Sequence, residues 1–158
     1  MEKVVMTKRR YSVRAFLINP NQEILLSKWD YRFLKNGKII WVTPGGGAEE
    51  GESDEAALRR EILEETGISE IEIGQETFYQ ELSFNEGTPN AFISAERFFL
   101  VRCFTSIIRL DLLTATEKKY HLETRWWKID DIDSSKENFG PDNIPEILRS
   151  SGTDNLFP

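Results

Sequence analysis

A proline and three glycines, Pro44-Gly45-Gly46-Gly47, stand just ahead of a well-delimited helix, and this junction narrows the possible folds more than any other stretch. Such a run can be neither helix nor strand interior, so it predicts a loop whose backbone lies close to a neighbour or a ligand. Ser53 to Thr66 then reads as a helix: Ser53 suits the N-cap, Asp54 and Glu55 suit the positive first turn, and Gly67 suits the C-cap region. Each helical residue turns by about 100°, which gathers Glu61, Glu64 and Glu65 into one arc as i, i+3 and i+4 neighbours. Like charges at this spacing destabilise a helix by about 0.2–0.5 kcal/mol a pair. Solvent, an arginine or a cation has to compensate. Leu58, Ile62 and Leu63 mark the packed sides, so the carboxylates are expected to flank a cleft.

The acidity is concentrated there. Between Glu49 and Glu70 the only basic residues are Arg59 and Arg60, in a chain of net charge −7. Binding nucleic acid generally needs a basic surface that releases counterions. No dedicated nucleic-acid surface is therefore expected, and Lys8-Arg9-Arg10 reads as a solvated strand entry. One His (His121) and one Cys (Cys103) cannot assemble a zinc site of the usual ligand types. Cys103, inside the apolar run FFLVRCF, reads as a buried structural thiol. Any metal must be a hard cation held by oxygen, and glutamates beside a glycine-loop carbonyl suit Mg²⁺ or Mn²⁺. Taken alone, an acidic helix face is usually only solvated. The adjoining glycine loop, whose amides and carbonyls can reach both a metal and phosphate oxygens, turns the reading towards a site.

The rest of the chain supplies a frame. Strands are expected at Arg10–Ile18 and Glu23–Trp29 about an Asn19-Pro20-Asn21 turn, then at Ile39–Val42, around Ile71–Phe84 and Arg97–Phe104, and at Arg125–Ile129. Residues 107–120 are ambiguous, and Ile144–Arg149 reads as a late helix behind Pro141. Strands before and after one central helix suggest a mixed α/β or α+β sandwich. A length of 158 residues suits a single domain, 1–158. No run of about 18 apolar residues appears. The opening MEKVVMTKRRYSV lacks the apolar core of a leader, so a cytoplasmic protein with no membrane partner is expected.

The segment Gly46 to Ile68, GGAEEGESDEAALRREILEETGI, resembles the box of the Nudix (MutT-like) hydrolase superfamily. It matches at Gly46, Glu52, Arg60, Glu61, Ile62, Glu64, Glu65, Gly67 and Ile68, with no departure. WVTPGGG upstream, VRAFLINPNQEILLSKW near the start and RWWKIDDI near the end extend the likeness over roughly residues 10 to 150. The resemblance implies an α/β/α sandwich with a mixed central sheet and a loop-helix-loop box spanning 46–68. It also implies metal-dependent attack of water on a diphosphate linkage in a nucleotide-like small molecule. Carried over by position, Glu61, Glu64 and Glu65 look like metal ligands, with Glu52 supporting the site and a carbonyl of Gly45 or Gly46 completing it. Arg60 would orient the carboxylates. The general base varies in this superfamily, and Glu96 and Glu123 are the acids outside the box expected to serve as base or extra ligand. Gly45, Gly46, Gly47, Tyr31 and Arg32 are the expected substrate contacts. Core packing is the expected role for most of Trp29, Phe33, Trp41, Trp126 and Trp127.

Two rival readings remain in view. A nucleotide- or nucleotide-sugar-binding module without hydrolysis would usually have lost box glutamates or gained a DNA-binding domain, and here the box is intact with no room left for such a domain. An isoprenoid-diphosphate isomerase relative needs a catalytic Cys and ligating His outside the box. On substrate, the Pro expected of ADP-ribose hydrolases about fifteen residues past the box is missing, since Glu81-Leu82-Ser83 stand there. The Tyr of dinucleoside polyphosphate members and the NADH-type signature are missing too. Nucleoside triphosphates are favoured over nucleotide sugars, and the family resemblance allows a monomer or a homodimer.

Overall fold

A computed structural model of the protein describes residues 7–153; residues 1–6, part of the segment read above for a leader, and 154–158 lie outside it. β1 (Lys8–Ile18) and β2 (Glu23–Asp30) form the expected antiparallel hairpin, in register at Ile18 and Ile24. The Asn19 side chain closes the turn by accepting the N–H groups of Asn21 and Glu23 at 3.1 and 2.9 Å, which is why an Asx residue suits this position. β1 continues alongside β6 (Phe92–Cys103) in parallel, and β6 pairs antiparallel with the edge strand β5 (Ile71–Phe84). β2 instead takes β3 (Ile39–Val42) and β7 (His121–Lys128), both antiparallel, and β3 is extended in parallel by β8 (Phe139–Gly140).

Alternation along β1 separates two cores. Val13, Ala15 and Leu17 face α1 (Asp54–Thr66), where Leu58 and Ile62 are fully buried with Leu25 and Val101. Burying each of these two helix side chains stabilises the fold by about 1.5–3 kcal/mol. Phe16 and Ile18 face the other way, onto Ile24, Leu26, Trp41, Phe98 and Trp127. That side is covered by α3 (Ile129–Ser134) and α4 (Ile144–Ser150) through Ile132, Ile144 and Leu148. Helices on both faces of a curled mixed sheet make the expected α/β/α sandwich. Among the described residues no helix is long and apolar enough to cross a membrane.

Several boundaries differ from those read in the sequence. β6 begins at Phe92 and β7 at His121, earlier than expected, because their partners in β1, β5 and β2 extend that far. The end of the ambiguous stretch forms α2 (Ala115–Tyr120), set by a capping box in which Thr114 and Glu117 satisfy each other's backbone N–H. The short α3 and β8 carry too few residues for periodicity to reveal them. Leu63, expected on a packed side of α1, is 38% exposed, whereas Glu65 is buried.

The glycine run is the main correction. Gly45–Gly47 is not a loop but a short strand, β4, antiparallel to β1 with Arg14 opposite Gly45 and Ser12 opposite Gly47. Glycine weakens a strand but permits close approach of backbones. A Cβ at Gly45 would stand 2.3 Å from the Val13 carbonyl oxygen, so the strand forms at this distance because side chains are missing.

Candidate active site

β4 presses the glycine backbone against the C-terminal half of α1. A Cβ on Gly46 would fall 2.7 Å from a carboxylate oxygen of Glu61, so that carboxylate lies directly on the strand. One residue earlier, the Gly45 N–H donates to Glu65 Oε2 at 3.3 Å. Helical spacing supplies the carboxylates, and the close-packed glycines bring the backbone to them.

Arg60 organises the outer side of this cluster. Its Nε and Nη2 grip both oxygens of Glu52 at 2.8 and 2.9 Å, Nη1 donates to Glu61 at 2.9 Å, and Nη2 also reaches the Gly47 carbonyl at 3.0 Å. Glu64 is more open, with its nearer oxygen 3.6 Å from Arg60. The bidentate Arg60 hydrogen bonds hold the Glu52 carboxyl down at about 2, and the same bonds raise the guanidinium further above its already high value. Glu61 is shifted the other way: burial raises it, although Arg60 opposes the shift.

Glu65 occupies the inner side. Burial pushes its carboxyl up to about 8, the nearby Glu61 adds to the rise, and Arg14 and the Gly45 N–H restrain it. Arg14, which the sequence reading did not single out, lies behind this glutamate on β1. Its Nε donates to Glu96 at 2.9 Å and Nη1 to the Thr43 carbonyl at 3.0 Å. Desolvation works against the Arg14 charge, but Glu96, Tyr31 and Glu65 outweigh it and raise the pKa. Glu96 is 6% exposed and has both oxygens engaged, one by Arg14 and the other by Gln80 at 3.0 Å. Removing one partner of a buried ion pair costs about 3–5 kcal/mol because the other is left uncompensated. Arg14→Met is therefore expected to lower unfolding free energy by about that amount, with partial recovery in the Arg14→Met, Glu96→Gln double variant. A denaturant series showing a neutral single substitution would refute the pair.

A cavity of about 210 Å³ opens beside Glu65, lined by Trp29, Tyr31, Phe33, Thr43, Gly45 and Glu117 together with Arg14 and Tyr120. A larger concavity, about 420 Å³, lies between β5 and α4 and includes none of the box residues. Proximity to the carboxylates, not size, selects the first as the candidate site. Tyr31 lines it, and burial raises its phenol above the ordinary range. Arg32 does not line it. Its guanidinium grips Asp30 through bonds of 2.9 and 2.8 Å in exposed surroundings. Glu123 is exposed on β7 opposite Lys28, on the strand face shared with Arg125 and Trp127. Gly46 and Gly47 meet Glu61 and Arg60 rather than the cavity. Trp126 and Trp127 pack against opposite cores. Glu117 and Tyr120 reach the cavity from α2. Glu117, like Glu123, reads in the sequence as an acid in or near the loop before Arg125-Trp126-Trp127, and only the short helix brings it to the cavity.

The donor set is chemically suited to a hard divalent cation: carboxylate oxygens and a backbone carbonyl, without thiolate or imidazole. The elevated Glu65 points the same way, since a buried carboxylate gains most from a cation beside it. Among the described residues no three acidic, His or Cys side chains converge at ligand distance, because Glu52 and Glu61 turn towards Arg60.

With this geometry in view, residues 8–148 match the NUDIX domain family. The chain belongs to the NUDIX family. A MutT protein from Methanosarcina mazei Go1 shares the fold at a TM-score of 0.69 and 21% identity, covering 97% of this chain and 99% of that one. The NUDIX domain of Shewanella oneidensis NrtR, solved with ADP ribose, gives a TM-score of 0.65 at 18% identity over 92% of this chain and 90% of that one. In sequence, the chain is 38% identical to a putative 8-oxo-dGTP diphosphatase of Bacillus subtilis over 78 residues, 48% of each protein. It is 35% identical to an RNA pyrophosphohydrolase of Caulobacter vibrioides over 66 residues, 42% of this chain and 37% of that protein. The NUDIX chain thus aligns with about half or less of the length of these two relatives.

Proposed function

We propose that this NUDIX protein is a Mg²⁺- or Mn²⁺-dependent hydrolase that splits the diphosphate linkage of a nucleoside diphosphate joined to another moiety, nucleoside triphosphates being favoured. The observation that carries the reading is Glu65: a buried carboxylate with its pKa at about 8, beside Glu61, against the glycine strand, and open to an aromatic cavity. The relatives named as diphosphatase and pyrophosphohydrolase support the reaction class, and the neighbour solved with ADP ribose supports a nucleotide-like occupant.

Glu61, Glu64 and Glu65 would hold the cation, with Glu52 and the Gly46 carbonyl in support. A bound cation of this kind supplies charge neutralisation on the diphosphate and a more acidic water. The chain's own residues do the rest. Arg60 fixes the direction of Glu52 and Glu61, and Arg14 with Glu96 backs the cavity floor. Glu96 has both oxygens committed, and Glu123 lies on the strand face shared with Arg125. Glu117 is the better-placed proton acceptor: it lines the cavity with Glu65 and has one oxygen engaged, by the Thr114 N–H.

The test is phosphate or monophosphate release from a panel of dNTPs, oxidised dNTPs, ADP-ribose, nucleotide sugars and dinucleoside polyphosphates, with Mg²⁺, with Mn²⁺ and with chelator. Metal-dependent turnover of at least one compound is expected. An inert panel with a nucleotide that nevertheless raises the melting temperature would replace this reading with that of a binding module.

A further inference from the structure

The cavity beside Glu65 combines two kinds of wall. Trp29, Tyr31, Phe33 and Tyr120 are aromatic, and Arg14 and Thr43 are polar. Aromatic walls of this kind suit a planar ring, which they can stack upon or meet edge-on. The polar wall has unused capacity. Thr43 is 1% exposed, and its Oγ1 is buried without a hydrogen-bond partner. Buried polar atoms are almost always paired, and the residue that carries this orphan lines the cavity, so a rotation of the Thr43 side chain would bring its hydroxyl to a ligand there. Next to it, Arg14 commits Nε to Glu96 and Nη1 to the Thr43 carbonyl, which leaves Nη2 available. The Thr43 backbone therefore anchors the arginine while its own hydroxyl stays free. Glu96 and the Thr43 carbonyl fix the guanidinium on the sheet, so little order has to be gained when a ligand arrives.

A guanidinium can only donate. A ring carbonyl presented to it accepts, whereas an exocyclic amine in the same position would set donor against donor and leave a charged group unpaired. We propose that Arg14 and Thr43 form a base-reading subsite that selects a nucleobase carrying a ring carbonyl over one carrying an amino group at the same position. The inference rests on the nucleotide-hydrolase reading for its ligand class and goes beyond it in naming which bases fit.

Inosine and adenosine triphosphates differ in carbonyl against amine at one ring position and in the proton that only inosine carries on the adjacent ring nitrogen. The measure is therefore kcat/KM for this pair, compared between wild type and the Thr43 variants. The wild type is expected to prefer the inosine compound by on the order of tenfold. Thr43→Val should shrink that ratio severalfold without lowering the melting temperature, since the hydroxyl has no partner to lose in the free protein. Thr43→Ser should retain it. Equal or better use of ATP by the wild type overturns the proposal, as does an unchanged ratio in a normally stable Thr43→Val protein.

Calorimetric binding of IMP and AMP in chelator separates the two levels. Stronger IMP binding without turnover of any triphosphate keeps the subsite and removes the hydrolase. Turnover with no carbonyl preference keeps the hydrolase and removes the subsite. If neither monophosphate binds and nothing is turned over, both fall.

Discussion

Glu65→Gln is expected to reduce turnover by roughly a thousandfold or more, because charge stabilisation by a held metal contributes several kcal/mol to such a reaction. The same substitution should stabilise the metal-free protein at neutral and alkaline pH. The folded-state pKa of Glu65 is raised from 4.5 to about 8. A carboxyl shifted upward is neutral in both states at low pH and contributes nothing there. As pH rises from the unfolded value through the folded one, the unfolded state ionises first and folding loses stability. That loss is complete only above pH 8 and is on the order of 5 kcal/mol at most. Glutamine does not titrate and can still accept the Gly45 N–H. The melting-temperature gap between variant and wild type, measured in chelator, should therefore widen from mildly acid pH up to about pH 8. A flat gap would show that Glu65 is not held in its neutral form. Cation binding requires the carboxylate, so Mn²⁺ affinity should climb over the same range and level off, and this slope should weaken in the variant.

Arg60→Ala carries the second large effect. Arg60 holds Glu52 through two bonds, Glu61 through one and the Gly47 carbonyl through another. Loss of groups that orient metal ligands typically costs about 10–100-fold in affinity or activity, and that range is expected in kcat/KM and in Mn²⁺ affinity. Arg60→Lys should recover little, because an ammonium cannot reproduce the fork on Glu52. Activity of Arg60→Ala within about twofold of wild type, far short of the effect typical for such groups, would reduce the residue to a surface ion pair. The Arg60–Glu52 pair also has a pH signature. Glu52 is lowered from 4.5 to about 2, so its contribution is present above the ordinary carboxylate range and is lost as pH falls towards 2.

The sequence alone determined the local chemistry. Ser53 and Gly67 bound a helix because their side chain and backbone satisfy its ends within a few residues, and both cap α1 in the structure. The spacing of Glu61, Glu64 and Glu65 follows from helix geometry without reference to any neighbour. The Asn19 turn and the two strands it joins were legible for the same reason, since turn and strand signals act over short distances.

What the sequence left open depended on contacts between distant segments. Three glycines read as a loop until β1 provides an edge at a distance only glycine tolerates. Arg14 and Glu96 stand 82 residues apart and meet only because β1 and β6 run in parallel. The reading of Glu96 as a free acid could not include that counter-ion. Arg32 looked available beside Tyr31, yet Asp30 two residues away captures it. Glu117 and Tyr120 join the cavity through a helix set by its capping box. Which carboxylate becomes buried and hard to ionise was likewise a tertiary outcome. Glu61, Glu64 and Glu65 are equivalent in helical chemistry, and only the packing of α1 against β1 and β4 takes Glu65 out of water while leaving Glu64 half in it.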